Sequence, residues 1–205
     1  NPELVPAVWG SGGIAVVQPL SMIYVYGHDL RDGLRLIRRA TDKPIGMNVL
    51  IERSSNMYLE RMHRYLEIAL EEGVRFFVTS LGNPRWVVER VAPLGGIVYH
   101  DVTERKWAEK GLAGGVHGLI AVNDRAGGHA GPRNAQALYD ELAGFGVPLV
   151  CAGGIGECAV IRMARLRIAA QERARDLCTS CTGGADHADA GEVGLGRRMQ
   201  SIPRV

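Results

Sequence analysis

The sequence predicts an α/β protein whose parallel strands form a TIM (β/α)8-type barrel. Six apolar, β-rich runs alternate with helical patterns along residues 1–156, and strand–helix alternation with short links is typical of a parallel sheet. The runs are continuous rather than alternating, as expected for strands buried on both faces. Polar residues and glycines follow several runs directly, and a site drawn from many strand ends favours a barrel over the alternative, an open doubly wound sheet.

Each predicted element has a local reason in the sequence. Apolar residues three and four apart mark the helices. Gly73 signals the C-terminal end of the helix over 57–72, and Asn83-Pro84 opens the helix over 83–91. Thr103 is the predicted N-cap of the helix over 103–113. β-rich apolar runs of strand length mark the strands. The predicted strands are 14–17, 44–50, 74–80, 96–100, 118–122 and 147–152. The predicted helices are 1–9, 57–72, 83–91, 103–113 and 132–145.

Composition argues against several classes of protein. Hydrophobic residues make up 46% of the 205 residues and charged residues 22%, so a disordered chain is not expected. The 27 glycines follow no three-residue period, which excludes collagen. No apolar run approaches the roughly 20 residues of a membrane span, and a net charge of +2 leaves no electrostatic footprint for nucleic acid. We therefore expect neither a membrane nor a nucleic-acid partner.

The four cysteines indicate a reducing, cytoplasmic setting. They do not make a disulfide scaffold, and no signal peptide precedes them. Cys178 and Cys181 are spaced as metal ligands with His187 nearby, but a structural zinc needs four ligands, usually in two pairs. Because a second Cys-x-x-Cys pair is absent from the sequence, we predict no metal site.

The chain divides into two regions. Residues 1–156 carry the strand–helix alternation, whereas residues 157–205 read as a helix followed by an irregular tail. The helix is predicted over 162–175, which is rich in arginine and alanine, and the tail beyond Asp176 has almost no apolar periodicity.

Two glycine loops are the main candidates for chemistry. The first, Gly127-Gly128-His129-Ala130-Gly131, follows the strand that ends at Val122. Its glycines allow a ligand to approach the backbone closely, and an imidazole can act as an acid or base near neutral pH. The second, Ala152-Gly153-Gly154-Ile155-Gly156, follows the next strand, and adjacent glycines before a helix N-terminus expose N–H groups suited to an anion. The alternatives are a solvated loop histidine and a plain tight turn.

Two further polar positions follow or end strands. Asn48 is interpreted as the end of its strand, where a side-chain amide can both donate and accept hydrogen bonds. A simple loop asparagine is an equal alternative. His100-Asp101 could form a site pair, but we interpret it as a surface pair.

In their order along the chain these motifs resemble those of the nitronate monooxygenases, also called 2-nitropropane dioxygenases. The resemblance covers roughly residues 1–156, and its most specific part is the Gly-Gly-His-x-Gly and Ala-Gly-Gly-Ile pair, one βα unit apart. The resembling segments are Gly46-Met47-Asn48-Val49, Ser80-Leu81-Gly82-Asn83-Pro84, 126–131 and 152–156.

The resemblance implies an FMN-binding TIM barrel with a small nitronate or nitroalkane and O2 as substrates, which yield a carbonyl compound and nitrite. It implies that His129 is the catalytic residue, and a homodimer is compatible with it. The implied cofactor-binding residues are Asn48, Ser80, Gly128, Ala152, Gly153 and Gly154.

The sequence also departs from the family pattern. Where the family often carries a basic residue, this chain has His100-Asp101. The family's first strand, with its Pro and Met, and its eighth strand, with its Gly-Thr motif, are not evident, so the expected barrel is incomplete. Two alternatives therefore stay open: a flavin-dependent enoyl thioester reductase on the same fold, and an inactive truncated barrel.

Overall fold

The computed structural model describes residues 4–52 and 55–154. Its α-helices are α1 (Leu4–Gly10), α2 (Pro19–Tyr24), α3 (Leu30–Ala40), α4 (Asn56–Glu71), α5 (Arg85–Val91), α6 (Arg105–Ala113) and α7 (Ala135–Leu142), and short 3₁₀ helices span Ala92–Leu94 and Ala143–Phe145. Its strands are β1 (Val16–Val17), β2 (Gly46–Ile51), β3 (Phe76–Leu81), β4 (Ile97–Val102), β5 (Gly118–Val122) and β6 (Leu149–Ala152).

The strand order confirms a fold of the incomplete TIM-barrel type. The sheet runs in chain order from β1 to β6, and β1, β2, β3 and β4 pair in parallel. A doubly wound sheet reverses its strand order at a switch point, whereas barrel strands follow one another in sequence. The six predicted runs all contain a strand, so the alternative of an open doubly wound sheet is not supported.

Two helices, α2 and α3, were not predicted from the sequence. Asp29 caps α3 by accepting a hydrogen bond from the Arg31 N–H at 2.9 Å, and Leu30, Leu34 and Ile37 are buried along one face. Elsewhere the differences are small. Helix α6 begins at Arg105, two residues after Thr103, so Thr103 is not the N-cap.

The chain separates into two compact units. The first contains 4–102 and 106–120, and the second contains 103–105 and 121–154 of the described residues. The predicted helix at 162–175, the tail and the cysteines at 178 and 181 lie outside the described residues. Within the described ranges, no helix is long and apolar enough to cross a membrane.

The two faces of the first unit's sheet differ in burial. One face is mostly buried, and α4 and α5 contact the strands. Its buried residues are Met47, Val49, Ile51, Phe77, Thr79, Val98, His100 and Val102. The other, which we call the open face, carries the partly exposed Asn48, Leu50, Ser80, Tyr99 and Asp101. The parallel registers Asn48↔Val78 and Val78↔Tyr99 place these positions on one side.

Aromatic rings fill part of the open face, where Phe76 lies opposite Gly46 and Tyr99 lies opposite Val78. Phe76 and Tyr99 meet edge to face with ring centroids 5.4 Å apart. A Cβ atom on Gly46 would lie 2.7 Å from the Phe76 ring, and one on Gly118 would lie 2.6 Å from the Tyr99 ring. The two glycines are therefore required because the rings occupy the space that a side chain would take.

Candidate functional site

Asn48 and Ser80 lie on the open face of the first unit. Asn48 is the third of six residues in β2, so the interpretation that it ends its strand was wrong: the strand continues to Ile51. Ser80 lies opposite Leu50 near the end of β3. Since Leu50 is two residues beyond Asn48, both polar side chains project from the same face. A polar ligand on this face would meet an amide and a hydroxyl.

His100 faces away from that side. Its ring is 2% exposed, and its Nδ1 lies 2.9 Å from the Thr79 Oγ1. A Cβ on Gly111 of α6 would lie 2.9 Å from the His100 ring, so the ring packs closely against that helix. Burial lowers the pKa of His100 to about 4, which keeps the imidazole neutral at pH 7. The interpretation of His100 as a surface residue was therefore wrong, and its role is structural.

Asp101 belongs to the open face, because neighbouring residues of a strand point to opposite sides. It directly follows His100, whose strand partner is Thr79, so it lies beside Ser80. Burial raises the pKa of Asp101 to about 6, because removing a carboxylate from water disfavours its charged form. His100 and Asp101 are thus neighbours in sequence that do not form a side-chain pair.

In the second unit, the loop after β5 is closed on itself. The Asp124 N–H donates to the Arg133 carbonyl at 2.8 Å, and the Ala126 N–H donates to the Asn123 carbonyl at 3.1 Å. Further along, the Ala130 N–H donates to the Gly128 carbonyl at 2.9 Å across His129. These bonds hold His129 at the exposed tip of a structured loop, where its imidazole is accessible.

Glycine is required at two positions of this loop, Gly128 and Gly131. Gly128 has φ +77, in the left-handed region that glycine adopts most readily. A Cβ on Gly131 would lie 2.7 Å from the Thr103 Cβ, so the end of the loop packs closely on the residue that follows β4. Gly127, in contrast, has open space around it. The glycines therefore shape a compact loop around His129.

The buried Asn123 joins this loop to the one after β6. Its Oδ1 accepts a hydrogen bond from the Arg125 N–H at 2.8 Å, and its Nδ2 donates to the Gly153 carbonyl at 3.1 Å. Its own N–H donates to the Ala152 carbonyl at 3.0 Å. Asn123 is 1% exposed, so its side-chain amide is a structural link between the two loops.

Gly153 and Gly154 form a cradle that a side chain would fill. Gly153 has φ +120, and a Cβ there would lie 2.4 Å from the Asn123 Oδ1 and 2.6 Å from the Ala126 backbone nitrogen. Gly154 has φ +67, and a Cβ there would lie 2.6 Å from the Arg125 Nε. Adjacent backbone N–H groups and a nearby guanidinium suit a phosphate group. The residues present therefore fit the anionic end of a phosphorylated ligand.

The predicted site residues thus fall in two places. Asn48 and Ser80 share the open face of the first unit, whereas Gly128, His129, Ala152, Gly153 and Gly154 lie in the two loops of the second. Sequence reasoning missed Asn123 and Arg125 as contributors. A polar residue directly after the buried run 118–122 was the available signal for Asn123, and an arginine three residues before Gly128 was the signal for Arg125.

Within the described residues, no cluster of three or more His, Cys, Asp or Glu side chains could hold a metal ion. The Cys178 and Cys181 pair lies outside those residues.

The strand order defines a protein of the TIM-barrel type. No family model matches the chain. Its sequence is 27% identical over 156 residues to (3aS,4S,5R,7aS)-5-hydroxy-7a-methyl-1-oxo-octahydro-1H-indene-4-carboxyl-CoA dehydrogenase of Mycobacterium tuberculosis, covering 74% of this chain and 41% of that protein.

Two solved structures share the fold. FabK from Thermotoga maritima has a TM-score of 0.65 and 25% identity, covering 77% of this chain and 48% of FabK. Nitroalkane oxidase from Streptomyces ansochromogenes has a TM-score of 0.64 and 20% identity, covering 81% and 58%, a likeness of fold alone. The chain therefore spans about half the length of the proteins it resembles.

Proposed function

We propose that the protein is a flavin-dependent oxidoreductase with FMN as its cofactor. The observation that carries the proposal is the pair of adjacent glycines, Gly153 and Gly154, whose positive φ angles and close contact with Arg125 bring backbone N–H groups and a guanidinium together. The resemblance of the motifs to those of the nitronate monooxygenases supports a flavin, and FabK, 25% identical to this chain, shares the fold. The Mycobacterium dehydrogenase supports redox chemistry.

Each candidate residue has a role in this proposal. Ala152, Gly153 and Gly154 would hold the phosphate, and Gly128 would let the cofactor approach its loop. The Asn48 amide and the Ser80 hydroxyl would donate or accept hydrogen bonds at the polar edge of the flavin ring. When bound, the flavin supplies the acceptor for electrons or hydride from the substrate, and the protein supplies binding and orientation.

His129 would act on the substrate. Its exposed imidazole at the tip of a closed loop can take a proton from the carbon next to a nitro or carbonyl group, or hold a nitro oxygen by donating an N–H. The hydrogen bonds that close the loop fix the position of His129 without burying it, which leaves the imidazole accessible to a substrate.

The first candidate substrate is a small nitronate or nitroalkane, which O2 and the flavin would convert into a carbonyl compound and nitrite. The order of the Asn48, Ser80, Gly-Gly-His and Ala-Gly-Gly-Ile motifs, which resembles that of the nitronate monooxygenases, supports it. A cytoplasmic setting and a homodimeric assembly remain predictions that go with this activity.

The second candidate substrate is an acyl thioester, with a nicotinamide cofactor as the hydride donor for an enoyl group. One observation favours it: the Mycobacterium tuberculosis protein, 27% identical to this chain over 156 residues, is by name a carboxyl-CoA dehydrogenase. Both reactions would use the same flavin and the same histidine. The loops around the site would therefore decide which of the two substrates the protein accepts.

Titration of the purified chain with FMN tests the cofactor. A change in the flavin absorbance that saturates with protein is expected, and an unchanged spectrum at saturating protein would contradict the proposal. Two assays then separate the substrates: O2 consumption and nitrite release with a nitronate, and NADH or NADPH oxidation with an enoyl-CoA. Loss of both activities in His129→Ala, with flavin still bound, would assign the chemistry to this site.

A further inference from the structure

We propose that Arg125 recognises the phosphate of the flavin, and so makes the protein select FMN over riboflavin. This inference rests on the proposed function, because it assigns a residue to the cofactor's anionic end. The two glycines could hold a phosphate through backbone N–H groups alone. Arg125 adds a full positive charge and a planar set of donors that matches phosphate oxygens.

The position of Arg125 is fixed by its backbone. Its N–H donates to the Asn123 Oδ1 at 2.8 Å, and it is the third residue of the turn closed by the bond from the Ala126 N–H to the Asn123 carbonyl. Because Asn123 also bonds the Gly153 carbonyl, the turn and the cradle are held by one buried side chain. The start of the Arg125 side chain is therefore placed at the edge of the cradle.

The Arg125 side chain lies against the second glycine. A Cβ on Gly154 would be 2.6 Å from the Nε, 2.8 Å from the Cζ and 3.0 Å from the Cβ of Arg125. The guanidinium thus occupies the side of Gly154 that any other residue would need for its own side chain. Glycine at position 154 therefore serves two purposes: it adopts the left-handed backbone, and it leaves the Arg125 side chain where it lies.

The guanidinium is also uncommitted within the described residues. No carboxylate of these residues forms an ion pair with Arg125, whereas Arg133 in the same loop pairs with Glu141 and Glu104. The Arg125 side chain is exposed, so its charge is available to a ligand at the cradle. Arg125 thus lies without a carboxylate partner among the described residues, beside two glycines that both have positive φ angles. A phosphate monoester bound there would supply the negative charge that pairs with the guanidinium.

Paired flavin titrations test the inference. The dissociation constants of FMN and riboflavin are measured by flavin fluorescence for the wild type, Arg125→Gln, Arg125→Lys and, as a matched control, Arg64→Gln, an exposed arginine on α4. We expect Arg125→Gln to weaken FMN by about 10-fold to 100-fold, the usual range for a lost hydrogen bond to a charged group. Riboflavin binding should change by less than about twofold.

Arg125→Lys should give an intermediate loss for FMN, because lysine keeps the charge without the planar fork. Arg64→Gln should leave both constants unchanged. Equal weakening of FMN and riboflavin in Arg125→Gln, or no weakening of either, would overturn the role of Arg125 and leave the flavin proposal standing. Failure of the wild type to bind either flavin would instead overturn the proposed function, and the Arg125 inference with it.

Discussion

The Asn123 amide and the Gly153 carbonyl are joined by a hydrogen bond of 3.1 Å across thirty residues of sequence. Around that bond, the Asn123 N–H donates to the Ala152 carbonyl and the Asn123 Oδ1 accepts from the Arg125 N–H. One buried amide therefore sets the distance between the loop that carries His129 and the loop that carries the glycine cradle. Both loops depend on it for their shape.

Asn123→Ala should lower the free energy of unfolding by about 2 to 3 kcal/mol, because it leaves the Gly153 carbonyl and the Arg125 N–H without their side-chain partner. Urea unfolding followed by tryptophan fluorescence measures the change. Asn134→Ala is the control: Asn134 caps α7 through a single exposed bond to the Ala137 N–H, worth about 1 kcal/mol. An equal loss of unfolding free energy in the two variants would show that the Asn123 side chain contributes no more than a single exposed capping bond, and would contradict its role as a link between the loops.

Gly153→Ala should be severely destabilising, by about 3 kcal/mol or more, because the new methyl group would meet the Asn123 Oδ1 and the Ala126 nitrogen at φ +120. Gly127→Ala, which changes a nearby glycine with open space around it and no positive φ, should change stability little. Thermal unfolding of the two variants gives the comparison. A Gly153→Ala protein as stable as Gly127→Ala would contradict the close contact at the cradle.

Asp101→Asn should stabilise the protein at pH 7, by up to about 3 kcal/mol, the free energy of a pKa raised by roughly two units. The folded state holds this proton up to about pH 6, whereas the unfolded state releases it near 3.8, so wild-type stability falls as the pH rises through that window. The advantage of Asp101→Asn should therefore grow between pH 4 and 6 and stay constant above.

His100 makes the stability of the protein depend on pH in the opposite direction from Asp101. Its pKa is lowered to about 4 from 6.5, so its contribution to stability is complete above pH 6.5 and is lost as the pH falls towards 4. Because both Asp101→Asn and the wild type retain His100, the difference between their unfolding free energies cancels this effect. Asp42→Asn, which neutralises an exposed carboxylate, is the matched control. A pH-independent difference for Asp101→Asn would refute the raised pKa of Asp101.

His129→Ala should lower kcat by about 10²-fold to 10⁴-fold, the usual contribution of a general acid or base. Because the side chain is exposed and the loop is closed by backbone bonds, flavin affinity and thermal stability should stay near those of the wild type. Steady-state kinetics beside a flavin titration separates the two effects. Full activity in the variant would remove His129 from the chemistry.

Much of the fold could be predicted from the sequence, because continuous apolar runs such as 118–122 leave few alternatives to a buried strand. Helix α3 could not be recognised as easily, since its apolar positions Leu30, Leu34 and Ile37 stand among several arginines. The predicted run 44–50 ends one residue before β2 does, at Ile51, whereas the separate interpretation of Asn48 as the end of the strand was wrong because Val49, Leu50 and Ile51 continue the apolar run.

The sequence predicted which residues belong to the candidate site, but it did not predict which of them contact one another. The glycines at 153 and 154 were predicted to form an anion site from their backbone freedom alone, and this role stays a prediction. The contribution of Asn123 could not be predicted, because its partner Gly153 lies thirty residues away and only the folded chain brings them together. His100 and Asp101 were treated as one pair, although strand geometry turns them to opposite sides of the sheet.

The rings of Phe76 and Tyr99 pack against Gly46 and Gly118 on the open face. Asn48 lies opposite Val78, and Val78 lies opposite Tyr99, so a molecule bound at Asn48 would have the Tyr99 ring at the same level of the sheet. A methyl group added at Gly46 or Gly118 would displace one of these rings. The space available to a ligand on the open face therefore depends on two glycines as well as on the side chains that line it.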